Sequence, residues 1–131
     1  MGAVTYLLDT HAVLWWLTNA PGLSSMAAGL IADPDSRLLV SSASAWEVAT
    51  KFRLGKLPSA ALIANDFGGW VDEMGAHELP ITIAHADRAG RFPQPHRDPF
   101  DRVLAAQSLL EGVPIISCDA ALDAFGVTRL W

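Results

Sequence analysis

The stretch HRDPFDRVLAAQSLLEGVPIISCD, residues 96–119, decides how this chain is read. Asp98-Pro99 opens a helix, with Asp98 as N-cap and Pro99 at the first helical position, where a missing N–H costs nothing. Val103, Leu104, Ala106, Leu109 and Leu110 then recur at helical spacing and mark one face as buried. Gly112 ends the helix, and Val113-Pro114-Ile115-Ile116-Ser117 follows as a short apolar run. Such a run suits a strand covered on both faces of a parallel sheet. Asp119 stands where that strand ends. One carboxylate opening a helix and another closing the next strand meet at the edge where open α/β folds place their ligands.

Working outward, strand-like and helix-like runs alternate. Residues 3–8 form a β-prone run that ends at Asp9, and Val13, Leu14 and Leu17 then give a helix weighted with Trp15 and Trp16. Pro21-Gly22 breaks it. Residues 23–32 are a second amphipathic helix, closed by the turn cluster Asp33-Pro34-Asp35-Ser36, and residues 38–41 a second buried strand. Ser44-Ala45-Trp46-Glu47 matches a capping box, a Ser and a Glu three residues on satisfying each other's backbone N–H, ahead of a helix to about Arg53. Residues 60–74 read as helical, with Gly68-Gly69 as a point of division. Residues 78–81 are a weak third strand, residues 82–89 a short helix, residues 120–125 a helical turn and residues 127–131 a last strand. The alternation predicts βαβ units, one parallel sheet and helices on both faces.

With 131 residues the chain reads as a single domain with a real core, and 51% hydrophobic residues argue against disorder. No apolar run nears the ~18 residues of a membrane span, and no basic segment precedes the first strand, so a cytoplasmic protein is expected. The lone Cys118 excludes an internal disulfide framework and reads as a small core residue. A net charge of −5 excludes a globally cationic nucleic-acid binder; contact with RNA would need a local basic patch or metal ions.

Asp9, Glu47, Asp101 and Asp119 all fall at element ends that a parallel sheet gathers on one edge. Singly, each is explained as a cap or a dipole partner. Jointly they would repel, and a cation relieves that. Carboxylates with water and substrate phosphate form the usual Mg²⁺ shell, which Mn²⁺ shares, and the matching reaction is phosphodiester hydrolysis. Arg97, Arg102 and Lys51 are candidate phosphate contacts. His11, His77, His85 and His96 fall in no metal-binding spacing.

The chain resembles the PIN-domain family, specifically its VapC-type toxins. The resemblance rests on Leu8-Asp9-Thr10-His11, Ser44-Ala45-Trp46-Glu47, Gly55-Lys56-Leu57, the run from His96 to Arg102 and Ser117-Cys118-Asp119, in order along nearly the whole chain. It implies a three-layer α/β/α sandwich around a five-stranded parallel sheet and a Mg²⁺- or Mn²⁺-dependent endoribonuclease acting on tRNA, rRNA or mRNA. Asp9, Glu47, Asp101 and Asp119 match the family's acidic quartet, with Asp9, Asp101 and Asp119 as metal ligands. Thr10 and Ser117 match hydroxyls that hold site water or carboxylates. Asp98 and Asp101 compete for one slot. A homodimer and a cognate antitoxin, whose tail covers the active edge, are the implied partners. Two rivals are a PIN-like binding scaffold and a phosphoacceptor receiver domain. The latter needs paired acids after the first strand and a lysine after the fifth, which this chain lacks.

Overall fold

The computed structural model describes residues 3–131. Strand β1 (Val4–Leu8) leads into α1 (Thr10–Leu17) and α2 (Ser25–Ala32), and β2 (Ser36–Ser41) runs straight into α3 (Ser42–Arg53). A 3-10 turn (Pro58–Ala60), α4 (Ala61–Ala64) and α5 (Phe67–Glu73) lead to β3 (His77–Leu79). Then come α6 (Ile83–Arg91), α7 (Pro99–Glu111), β4 (Ile115–Ile116), a 3-10 segment (Ala120–Phe125) and β5 (Arg129–Leu130).

The five strands lie in the order β3-β2-β1-β4-β5, and every pair is parallel. Leu8 stands opposite Val40 on one side and Ile116 on the other. Because side chains alternate along a strand, the sheet feeds two cores. Tyr6, Leu8, Leu38, Val40 and Ile116 pack under α1 to α5, while Leu7, Leu39 and Ile115 pack under Leu104 and Ala105 of α7 and Leu122 and Phe125 beyond β4. This is the expected α/β/α sandwich. The first two crossovers step outward from β1 through β2 to β3, and the third returns to β4 on the other side of β1. Strand order therefore reverses between β1 and β4, which opens a crevice at their carboxyl ends.

In the opening stretch the ends of the helix fall as read but its buried face does not: Leu110 is 42% exposed, and Ala105, Gln107 and Ser108 are buried instead, the last two because they donate to the carbonyls of Pro80 and Val113. Asp98 is the N-cap of α7, Pro99 occupies its first turn, and Gly112 closes it with φ 66°, a left-handed backbone that suits glycine. Three further readings are corrected. The cap of α3 is Ser41, whose hydroxyl accepts from the Ala43 N–H, so Ser44 and Glu47 form no capping box. The strand end itself supplies the cap, because β2 passes into the helix with no loop between. The predicted 60–74 helix divides at Asn65-Asp66, where Asp66 caps α5, and Gly69 accommodates that carboxylate, which a Cβ would strike at 2.3 Å. Cys118 is exposed, since it follows the buried end of β4.

Candidate active site

Asp9, Asp101 and Asp119 are placed by the ends of regular elements, whereas Glu47, expected at an element end, lies in the second turn of α3 because that helix starts at Ser42. Asp9 follows β1, the central strand, and is 3% exposed. Its Oδ1 accepts from the Thr10 N–H at 2.7 Å, capping α1, and its Oδ2 accepts from the Ser117 hydroxyl at 2.7 Å. Ser117 stands at the end of β4, so this bond spans the crevice. Ser117 Oγ also accepts from the Asp119 N–H at 3.0 Å. Asp119 caps the next turn through Oδ1, which accepts from the Ala121 N–H. Thr10 and Ser44 share a buried hydroxyl–hydroxyl bond of 2.8 Å that ties α1 to α3. Asp101, in the first turn of α7, takes a 2.9 Å bond with His96 Nε2.

The carboxylates sense one another. Burial pushes Asp101 up to about 6 against the His96 hydrogen bond, and the charges of Asp98, Asp9 and Asp119 add to the rise. Burial also raises Asp9, opposed by the Ser117 hydroxyl, nearby His11 and the Thr10 N–H, and reinforced by Glu47. Glu47 is 3% exposed and pairs with Lys51 one turn on. Burial works against the Lys51 charge, yet its hydrogen bond to Glu47 and the charges of Glu47, Asp98 and Asp101 push its pKa up. One electrostatic field therefore joins α3, α7 and the ends of β1 and β4.

Asp9, Glu47, Asp101 and Asp119 thus face a common region, with Thr10 and Ser117 bonded around it. Asp98 turns one oxygen onto its own helix, Oδ1 accepting from the Phe100 and Asp101 N–H groups at 2.9 and 3.4 Å. Arg97 is exposed beside that cap. Arg102 departs from its expected place over the substrate: its guanidinium donates to the carbonyls of Ala89, Phe92, Gln94 and His96 at 2.7 to 3.0 Å. Four of its five N–H groups are spent holding the chain before α7. Sequence reasoning missed His96 as a partner of Asp101 and Ser44 as a partner of Thr10. The second had a signal. Ser44 and Glu47 are three residues apart and share a helix face whether or not they cap, so the same spacing suits a face turned toward β1.

The model of the family described as PIN domain matches residues 6–127. The chain belongs to the PIN domain family. No curated protein matches it in sequence. Among solved structures it is similar to VapBC2 from Rickettsia felis bound to a promoter DNA fragment, with 10% identity, a TM-score of 0.66 and coverage of 97% of this chain and 98% of that one. It is similar to VapC20 of Mycobacterium tuberculosis, described as a sarcin-ricin loop cleaving toxin, with 16% identity, a TM-score of 0.67 and coverage of 95% and 98%. VapBC-1 from nontypeable Haemophilus influenzae follows at 14% identity, a TM-score of 0.60 and 97% of each chain. At these identities the likeness is one of fold, and it covers 95% to 97% of this PIN domain.

Among the described residues, no three His, Cys, Asp or Glu side chains converge tightly enough to grip an ion between them. Mg²⁺ does not require that, because it keeps most of its water and is held through one or two carboxylates. The donor set fits such an ion: hard oxygens in mutual repulsion, and a buried Glu47 Oε1 with no protein partner among the described residues. Asp9, Asp101 and Asp119 are the groups that would hold it.

Proposed function

We propose that this PIN domain is a metal-dependent endoribonuclease and the toxin of a toxin–antitoxin pair, acting in the cytoplasm. The observation that supports the nuclease reading best is the gathering of Asp9, Asp101 and Asp119 at the switch point, tied together through Ser117, where burial first and then neighbouring carboxylate charge push Asp101 up to about 6. A Mg²⁺ or Mn²⁺ ion bound there would supply an acidified water and offset charge on a leaving oxygen. The chain's own residues do the rest. Ser117 and the Thr10 N–H fix the rotamer of Asp9. His96 holds one oxygen of Asp101 by a hydrogen bond and limits the freedom of that carboxylate. Lys51 neutralises Glu47 and leaves its second oxygen buried without a hydrogen-bond partner among the described residues. Arg97, exposed at the start of α7, is a candidate phosphate contact, and Lys51 lies within the same field.

The substrate class in this reading is tRNA, rRNA or mRNA, supported by the solved relative described as cleaving the sarcin-ricin loop. Two of the similar structures are VapBC assemblies, which supports a small antitoxin as partner. Trp15, Trp16 and Leu23 line a cavity of about 310 Å³ between α1 and α2, room for an apolar side chain of a docked peptide. A homodimer completes the reading. Purified protein should degrade pooled tRNA or rRNA in Mg²⁺ or Mn²⁺ and stop in EDTA. Cleavage that survives chelation would refute the metal site.

A further inference from the structure

Trp46 is out of place for a structural residue. It is 56% exposed on α3, immediately before buried Glu47, although covering an indole is among the larger hydrophobic gains a side chain offers. Among the described residues its one ring neighbour is Phe100, edge-to-face at 4.7 Å between centroids and 80° between planes. Phe100 lies on α7 between Asp98, the cap, and Asp101. The pair therefore bridges α3 and α7 at the rim of the acidic site and belongs to neither core.

We propose that Trp46 and Phe100 form a stacking platform for one unpaired base of a single-stranded RNA segment. The inference deepens the nuclease reading and rests on it for the identity of the strand. Size and surroundings favour a base over a protein. A stable protein interface buries about 800 Å² per partner, and a lone aromatic pair falls far short of that. The neighbours of Trp46 one turn away on its helix are Ser42, Ala43, Ala49 and Thr50, small or polar, so the exposed indole is not part of an apolar stripe along α3. Charge completes the pattern. Arg53, seven residues on along the same face, is exposed, as is Arg97 ahead of α7. Aromatic faces beside cations that track a backbone are how sequence-tolerant single-strand sites are built. A base stacked here would set the adjoining phosphate toward the acids while leaving the chemistry to them.

The test uses the full chain and a fluorescein-labelled single-stranded RNA dodecamer, with the matching duplex as control. Calcium replaces the catalytic ion, since it takes oxygen ligands in a looser shell. Stacking predicts that Trp46→Leu weakens single-strand binding about 5- to 150-fold. Duplex binding should stay as in the wild type, and Trp46→Phe should restore most of the loss. In Mg²⁺ the loss should fall on KM more than on kcat. Phe100→Leu is the second variant, in case Trp46→Leu fails to fold. Equal single-strand affinity in folded Trp46→Leu and wild type would overturn the platform. So would a variant that turns a dimer into monomers with RNA affinity intact, which would assign the pair to an interface between copies. Failure of the nuclease reading is distinguishable: Trp46-dependent RNA binding without cleavage in Mg²⁺ or Mn²⁺ keeps the platform and removes the activity.

Discussion

Replacing Arg102 tests the architecture most directly, because the structure assigns it a different job from the one its position beside Asp101 suggests. Its Nε donates to Ala89 at the end of α6, and its two terminal nitrogens donate to Phe92, Gln94 and His96. Ala89 is among the last residues of α6, whose carbonyls lack helical partners. The guanidinium therefore ties a helix end and the following segment onto α7, with the Phe92 ring 5.9 Å below it. Hydrogen bonds to a charged group contribute about 1.5–3 kcal/mol each. Four would set a ceiling that is not reached, because carbonyls near the surface regain water when the arginine is lost. The expected cost of Arg102→Met is about 3–4 kcal/mol, in the range for breaking a side-chain network. Arg102→Lys should lose about half as much, since an ammonium cannot reproduce a planar fork. In urea, with a slope of roughly 2 kcal/mol per molar, the Met variant's midpoint should fall by roughly 1.5–2 M. The Lys variant should stay folded yet lose RNA cleavage, because His96 is released from its place against Asp101. An unchanged urea midpoint, together with weaker RNA binding and a salt slope lower by about one, would refute the clamp and return Arg102 to the phosphate contacts.

Three further outcomes are expected. Asp101→Asn should abolish cleavage while folding normally, whereas Asp98→Asn should keep most activity because Asn caps as well as Asp; Asp98→Ala should cost about 0.5–2 kcal/mol, read by urea unfolding, and the reverse activity pattern would make Asp98 the ligand. The raised pKa of Asp101 means that the folded chain holds this proton more tightly than the unfolded chain does, so stability in EDTA should be highest near pH 4 and decline as pH rises through about 6. Thermal melts across that window should show the decline, Asp101→Asn should flatten it, and Mg²⁺ should restore stability at neutral pH by mass action. His85, 2% exposed, closes a capping box with Thr82 and bonds Glu111 of α7, so His85→Leu should lower stability by about 1–3 kcal/mol in urea without touching metal-dependent cleavage in the folded fraction.

The parallel sandwich was legible in the sequence because its signals are local. Apolar runs bounded by Asp, Pro and Gly mark strands that are buried on both faces, and Asp98-Pro99 and Gly112 bracket α7 by backbone chemistry alone. The acids were legible for a related reason: a residue just past a parallel strand is carried to the ligand edge whatever the loops do. What escaped depends on contacts across the chain. His96 meets Asp101 in a segment that Arg102 holds by the carbonyls of Phe92, Gln94 and His96, a geometry no spacing rule encodes. The cap of α3 was placed three residues late, because Ser41, Ser42 and Ser44 all carry the right hydroxyl and only the end of β2 decides among them. Cys118 reads as core from the apolar run before it, but that run is exhausted one residue earlier, at fully buried Ser117.

Capping and chemistry are not alternatives here, although each acid taken alone invites that choice. Asp9, Asp98 and Asp119 each give Oδ1 to the N–H groups of a helical turn. A carboxylate offers about four lone-pair sites on its two oxygens, so a single cap bond leaves most of its capacity for other partners. Asp9 gives one more site to Ser117, which anchors β4 to β1 across the crevice, and each of its oxygens keeps a lone pair for a cation. The positive ends of α1 and α7 meanwhile offset the repulsion among the acids. The fold can therefore assemble the cluster before any cation arrives, at the cost of a protonatable Asp101, the group that receives no cap and takes the repulsion of Asp98, Asp9 and Asp119. That asymmetry makes Asp101 the residue whose charge an incoming ion would change most, and thus the one through which metal, pH and stability are coupled.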